Sequence, residues 1–257
     1  MELLERTGLA FGFRWLHVLG GITWIGLLYY FNLVQVPAFA AFGDDGKSRN
    51  MAIDKVARRA LWWFRWAAVF TLVTGLLIVG ITKDYMKDFM SDTSLFGAGH
   101  DSVIAVGMIF GITMAANVWM VIWKNQKIVL ANAANVLAGN PADPAAAAAG
   151  RSAFLASRQN TIFSVSMLFF MVGASHFYSG AFGNVEGSKA TTFFIIAIVI
   201  GAAMELLCLG KIGGKAPATA DGGNKLLWPY ESHKNAIISA FALWAVLWIL
   251  TEILFAK

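Results

Sequence analysis

The sequence predicts an all-α integral membrane protein, a bundle of six transmembrane helices with both termini on the periplasmic side. Three observations predict it. Of 257 residues, 58% are hydrophobic and only 14% charged, against about 45–50% and about 25% in a soluble domain. Mean hydropathy is +0.63. The apolar residues also gather into six runs, roughly 11–36, 60–82, 102–123, 160–180, 190–210 and 235–256, and about 20 apolar residues cross about 30 Å of hydrocarbon. Most of the chain is spent in these runs, so a single membrane domain is expected. The short alternating segments of a membrane β-barrel are missing, and backbone satisfaction in lipid then leaves helices.

The first run carries its own length argument. It is too long for a signal-peptide core, and Pro37 speaks against cleavage at Ala38-Phe39-Ala40, so it is read as a retained span. Between spans three and four, Ala131 to Gly150 is mostly alanine, interrupted by Asn140-Pro141 and Asp143-Pro144. It reads as short surface helices broken by turns. The Gly-, Ala- and Lys-rich stretch 211–223 reads as a flexible loop.

The net charge of +5 does not point to nucleic acid, because the basic residues sit in the connections. The 37–59, 124–159 and 211–234 connections hold thirteen Lys and Arg, and the opposite side holds six. The positive-inside rule places those three connections in the cytoplasm and both termini outside. One cysteine, Cys208, excludes an internal disulfide and covalently attached haem c.

That topology distributes the four histidines. His17 in the first span, His100 before the third and His176 near the end of the fourth share the outer face. His233 alone is cytoplasmic, beside the aromatic run Trp228-Pro229-Tyr230, and reads as part of an interfacial anchor. Arg14, His17, Gly20, Gly21 and Trp24 recur at helical spacing and so share a face. An imidazole, a residue without bulk and a cation are what a porphyrin needs for its iron, its plane and its propionates. His176, with Gly173 one turn away, repeats the pattern, and two imidazoles make an electron-transfer haem. The same histidines also fit interhelical hydrogen bonding, with the glycines allowing close packing. His100, beside Asp101, is a weaker metal candidate or a cap for the third helix.

Two charges lie within spans: Arg65 in the second and Glu205 in the fifth, each about five residues from the cytoplasmic end. Their equal depth suggests an ion pair, with snorkelling of Arg65 as the alternative. Most of the ten tryptophans fit interfacial belts.

The run from Arg14-Trp15-Leu16-His17-Val18-Leu19-Gly20-Gly21-Ile22-Thr23-Trp24 to Asn32 resembles the opening of the urate oxidase N-terminal family, the membrane domain of a bacterial urate-oxidising enzyme. Val36-Pro37-Ala38, Trp62-Trp63-Phe64-Arg65-Trp66 and the Met167–His176 stretch resemble it too. More distantly, the His-x6-Trp-x-Gly core is similar to membrane protoporphyrinogen oxidases and copper-resistance-type membrane proteins. The resemblance implies haem b on His17, possession of an oxidoreductase activity of the urate type, and electron exchange with a cytochrome c. The family's enzyme continues into a cytochrome c domain, whereas no CxxCH occurs here, so a separate periplasmic or membrane-anchored partner is expected. Two other readings stay open. One is a haem-free accessory subunit of a larger membrane complex or a homo-oligomer. The other is a small-solute or metal permease using His17, His100 and His176.

Overall fold

The computed structural model describes residues 4–82, 99–182, 185–213 and 225–256. Among these residues there is no strand. Six helices are long and apolar enough to cross a membrane: α1 Arg6–Ala41, α2 Gly46–Ile81, α3 His100–Leu137, α4 Ala146–Ala181, α5 Gly187–Cys208 and α6 His233–Phe255. Lys83, Lys87, Lys215, Lys257 and the 214–223 part of the expected flexible loop lie outside the described residues.

The boundaries correct the expected connections. The 37–59 and 124–159 segments are mostly helix, continuing the spans they were expected to link. At 36 residues, α1, α2 and α4 are each about 54 Å long, well beyond about 30 Å of hydrocarbon. The surplus lies at the end that carries the basic connections. There the four long helices form an extension, and the turn between α3 and α4 falls at the Asn140-Pro141 and Asp143-Pro144 breaks. Asp45 caps the start of α2, its Oδ1 accepting from the Ser48 N–H at 3.0 Å. The Ser48 hydrogen bonds hold this carboxyl below the usual carboxylate range.

Each long helix carries one π-helical turn: Tyr30–Gln35, Ile53–Ala57, Asn117–Ile122 and Ala174–Tyr178. Such turns insert a residue and re-aim the side chains beyond it. The last of them holds His176.

The centre of the bundle is α4. All seven residues from Arg158 to Ser164 are buried, which is possible only for a helix with protein on every side. It packs against α1, α3, α5 and α6, whereas α1 packs mainly on α2. On the opposite side, rows of exposed Trp15, Val18, Ile22, Val73 and Leu76 suit contact with lipid.

Several close approaches set the helix spacings. A Cβ on Gly20 would lie 2.7 Å from Thr71 Oγ1 and 2.8 Å from Phe70 Cδ1. One on Gly201 would lie 2.8 Å from Phe110, whose ring stacks on Phe163 at 4.5 Å. Without a hydrophobic drive between helices in lipid, such small-residue contacts provide the packing.

Candidate functional site

His17 faces α2. Its Nδ1 lies 2.9 Å from the Thr71 carbonyl oxygen and 3.3 Å from Thr74 Oγ1. The carbonyl can only accept, so Nδ1 donates and carries the ring proton. Nε2 is left as the basic nitrogen, the arrangement in which imidazole ligates a metal. Gly75 makes room for the ring, since a Cβ there would sit 3.1 Å from His17 Cε1.

The neighbouring residues of that face have different surroundings. Gly20 is filled against α2, whereas an added Cβ on Gly21 meets nothing within 4 Å. Trp24 is buried, with its indole N–H unpartnered. Arg14 is exposed. No residue of α1 between Arg6 and Leu19 is buried, so the stretch around His17 is covered by α2 and otherwise open.

His176 is exposed on its π-helical turn. The nearby Gly173 packs against the Tyr178 ring, 3.4 Å from where its Cβ would be. The Tyr178 hydroxyl ties α4 to α6 through Thr251 at 2.8 Å. His100 Nδ1 lies 3.0 Å from Asp101 Oδ1 in the first turn of α3. Among the described residues no group of three or more His, Cys, Asp or Glu could hold a metal ion. His17, His100 and His176 are therefore not assembled into one metal site.

Arg65 and Glu205 do not pair, which corrects the expected ion pair. The Arg65 guanidinium lies over the Trp123 ring, 3.4 Å from its centroid, with Trp119 at 6.0 Å. A desolvated cation over indole is well stabilised. Glu205 instead accepts from Asn117 Nδ2 at 3.0 Å.

That contact belongs to a buried polar belt that the sequence reading missed. Asn117 Nδ2 also donates to Asn160 Oδ1 at 3.0 Å, and Asn160 Nδ2 to the Met114 carbonyl at 2.9 Å. The Tyr230 hydroxyl donates to Gln159 Oε1 at 2.6 Å. Burial pushes that phenol above its usual range, with Cys208 and Glu205 adding to the effect, so it remains a donor. Tyr29 bonds Ser164 at 2.9 Å, and Asn32 donates to Ser157 at 2.8 Å. Thus α1, α3 and the turn before α6 are each tied to α4. Arg158, fully buried beside this belt, lies over the Phe154 ring at 4.9 Å. The available signal was the polar run Arg158-Gln159-Asn160-Thr161 at the edge of the fourth apolar run, where hydropathy loses contrast.

Residues 85–207, a little under half of the chain, match the family model described as urate oxidase N-terminal. No curated protein and no solved structure gives a match. The matched stretch contains His100, His176 and Glu205. The first span, with His17, lies outside it. Over residues 85–207, which hold α3, α4 and all but the last residue of α5, the chain is similar to the urate oxidase N-terminal family.

Proposed function

We propose that this is a multi-pass protein of the bacterial inner membrane, with both termini periplasmic, that binds haem b near the periplasmic face. In this reading it passes electrons to or from a periplasmic cytochrome c or a membrane-anchored partner. His17 and His176 are the candidate axial ligands, and Arg14 the candidate partner for a propionate. Gly21, Gly173 and Trp24 border the same two helix regions.

The observation that carries this reading is the His17 tautomer. An imidazole whose Nδ1–H is held by the Thr71 carbonyl at 2.9 Å presents a basic Nε2 in fixed orientation, and this outer partner raises its basicity. The donor fits haem iron, and Gly21 offers the uncrowded surface. When bound, haem b would supply one-electron transfer. The chain's own contribution is to orient the ligand and to hold a cation beside it. The stretch similar to the urate oxidase N-terminal family, 85–207, includes His176.

The test is a reduced-minus-oxidised visible spectrum of protein purified in mild detergent, beside His17→Ala and His176→Ala. A b-type signal that is lost in either variant is expected. A colourless protein from haem-supplemented cells would overturn the reading and direct attention to the larger complex it would then serve.

A further inference from the structure

We propose that the extension at the basic end holds a binding site for an amphipathic organic anion, an apolar ring or chain carrying a carboxylate or phosphate. This site lies at the end opposite His17 and does not depend on haem. It rests on a half-open cavity of about 770 Å³ lined by the four long helices and the turn between α3 and α4, within the range of small-molecule pockets.

The alanine-rich segment explains why the cavity exists. Ala146, Ala147, Gly150 and Ala153 line it from α4, at the i, i+1, i+4, i+7 spacing of one helix face. Gly46 and Ala57 line it from α2. Small residues on facing helices leave volume that larger side chains would fill. Towards the bilayer the cavity ends at Phe31 and Phe64, which meet edge-to-face at 5.4 Å and 84°. Its other end is lined by exposed Arg49, Ala142, Asp143 and Ala147, which mark the mouth.

The lining is chemically divided. Phe39, Ile53, Leu61, Ile122, Val129 and Phe154 make an apolar wall, and the carboxamides of Asn50, Gln126 and Asn132 add neutral donors. Three charged side chains line it: Arg49, Arg151 and Asp143. Asp143 is turned to its own backbone, its Oδ1 accepting from the Ala145 N–H at 2.8 Å. Arg151 is held by Glu231. Lys55 and Arg58 both pair with Asp54. Arg49, by contrast, has no carboxylate within ion-pair distance among the described residues and stands at the mouth. An apolar body in the cavity with its anionic group at Arg49 satisfies wall and cation together.

The test uses the full-length protein in phosphatidylcholine discs and isothermal calorimetry, with indole-3-acetate and its neutral amide, indole-3-acetamide, as probes. Indole-3-acetate is expected to bind more tightly than the amide. Arg49→Gln should weaken acetate binding about tenfold, the scale of one charge-assisted contact, and erase the preference. Ala147→Phe and Gly150→Leu should each abolish binding by filling the cavity. A Cβ at position 150 meets only Val129 Cγ2, at 3.8 Å, so that variant is expected to fold, as an unchanged melting temperature would verify. Adding phosphatidylglycerol to the discs separates two sources of the same chemistry. Competition assigns the site to a lipid headgroup, and unchanged binding to a free anion. No binding to the unmodified protein, equal affinity for acid and amide, or unchanged affinity in Arg49→Gln would overturn the proposal.

Discussion

His17 and Thr71 are joined across the α1–α2 interface by a hydrogen bond from Nδ1 to a main-chain carbonyl at 2.9 Å. Because the acceptor is backbone, no side-chain substitution at position 71 removes it. The ring is positioned by how closely the two helices approach, and that is set by glycine at Gly20 and Gly75.

The first prediction follows from that spacing. In Gly20→Val the Cβ alone would enter the space of Thr71 Oγ1 and Phe70, at 2.7 and 2.8 Å. Overpacking of this kind costs about 1–3 kcal/mol. Thermal unfolding in detergent should show a lower melting temperature. Gly21→Val, where nothing lies within 4 Å, should leave it almost unchanged. Equal effects at the two positions would mean that Gly20 does not set the interface.

A second prediction concerns the corrected pairing. Arg65 lies on indole rings and Glu205 on an amide, so the two charges contribute independently. A double-mutant cycle of Arg65→Leu and Glu205→Gln should give a coupling energy within about 0.5 kcal/mol of zero, as for sites without shared partners. Coupling above about 1 kcal/mol would restore an ion pair.

These cases show what the sequence made legible. Depth is a one-dimensional property, and hydropathy reports it well: all six spans fall where the apolar runs lie, and Arg65 and Glu205 both sit near the basic end. The angular position of a side chain around its helix is harder, since it depends on which helices are neighbours. Equal depth therefore suggested a partner that lies elsewhere. Hydropathy also measures contact with lipid rather than helicity. The more polar, helical continuations of α1 and α2 accordingly read as a loop, and those of α3 and α4 as short separate helices rather than as extensions of their spans. His17 was legible from its spacing to Arg14 and Trp24. Thr71, Thr74 and Gly75, which orient it, were not, because nothing local links them to the first span. The alanine-rich segment was visible as composition, but its role in making a cavity needed the facing helices.

The third prediction tests the polar belt. The Tyr230 hydroxyl donates to Gln159 Oε1 at 2.6 Å, and Gln159 is fully buried. Tyr230→Phe keeps the ring and removes the donor, leaving a buried acceptor unsatisfied at a cost of about 1–3 kcal/mol. Denaturant unfolding should report that loss. A Tyr230→Phe protein as stable as the original would mean that water replaces the hydroxyl.

The fourth prediction distinguishes Arg65 as a stacked cation from Arg65 as a snorkelling one. A guanidinium is planar and weakly hydrated, so it lies flat on Trp123 at 3.4 Å from the ring centroid, whereas an ammonium is compact and strongly hydrated. If stacking is what stabilises Arg65, Arg65→Lys should destabilise the protein by about 0.5–2 kcal/mol although charge is conserved. Trp123→Leu should then remove most of the difference between Arg and Lys at position 65. If Arg65 simply reaches the interface, lysine reaches it equally well. In that case Arg65→Lys would be neutral in both backgrounds, and thermal unfolding of the four proteins decides between the two.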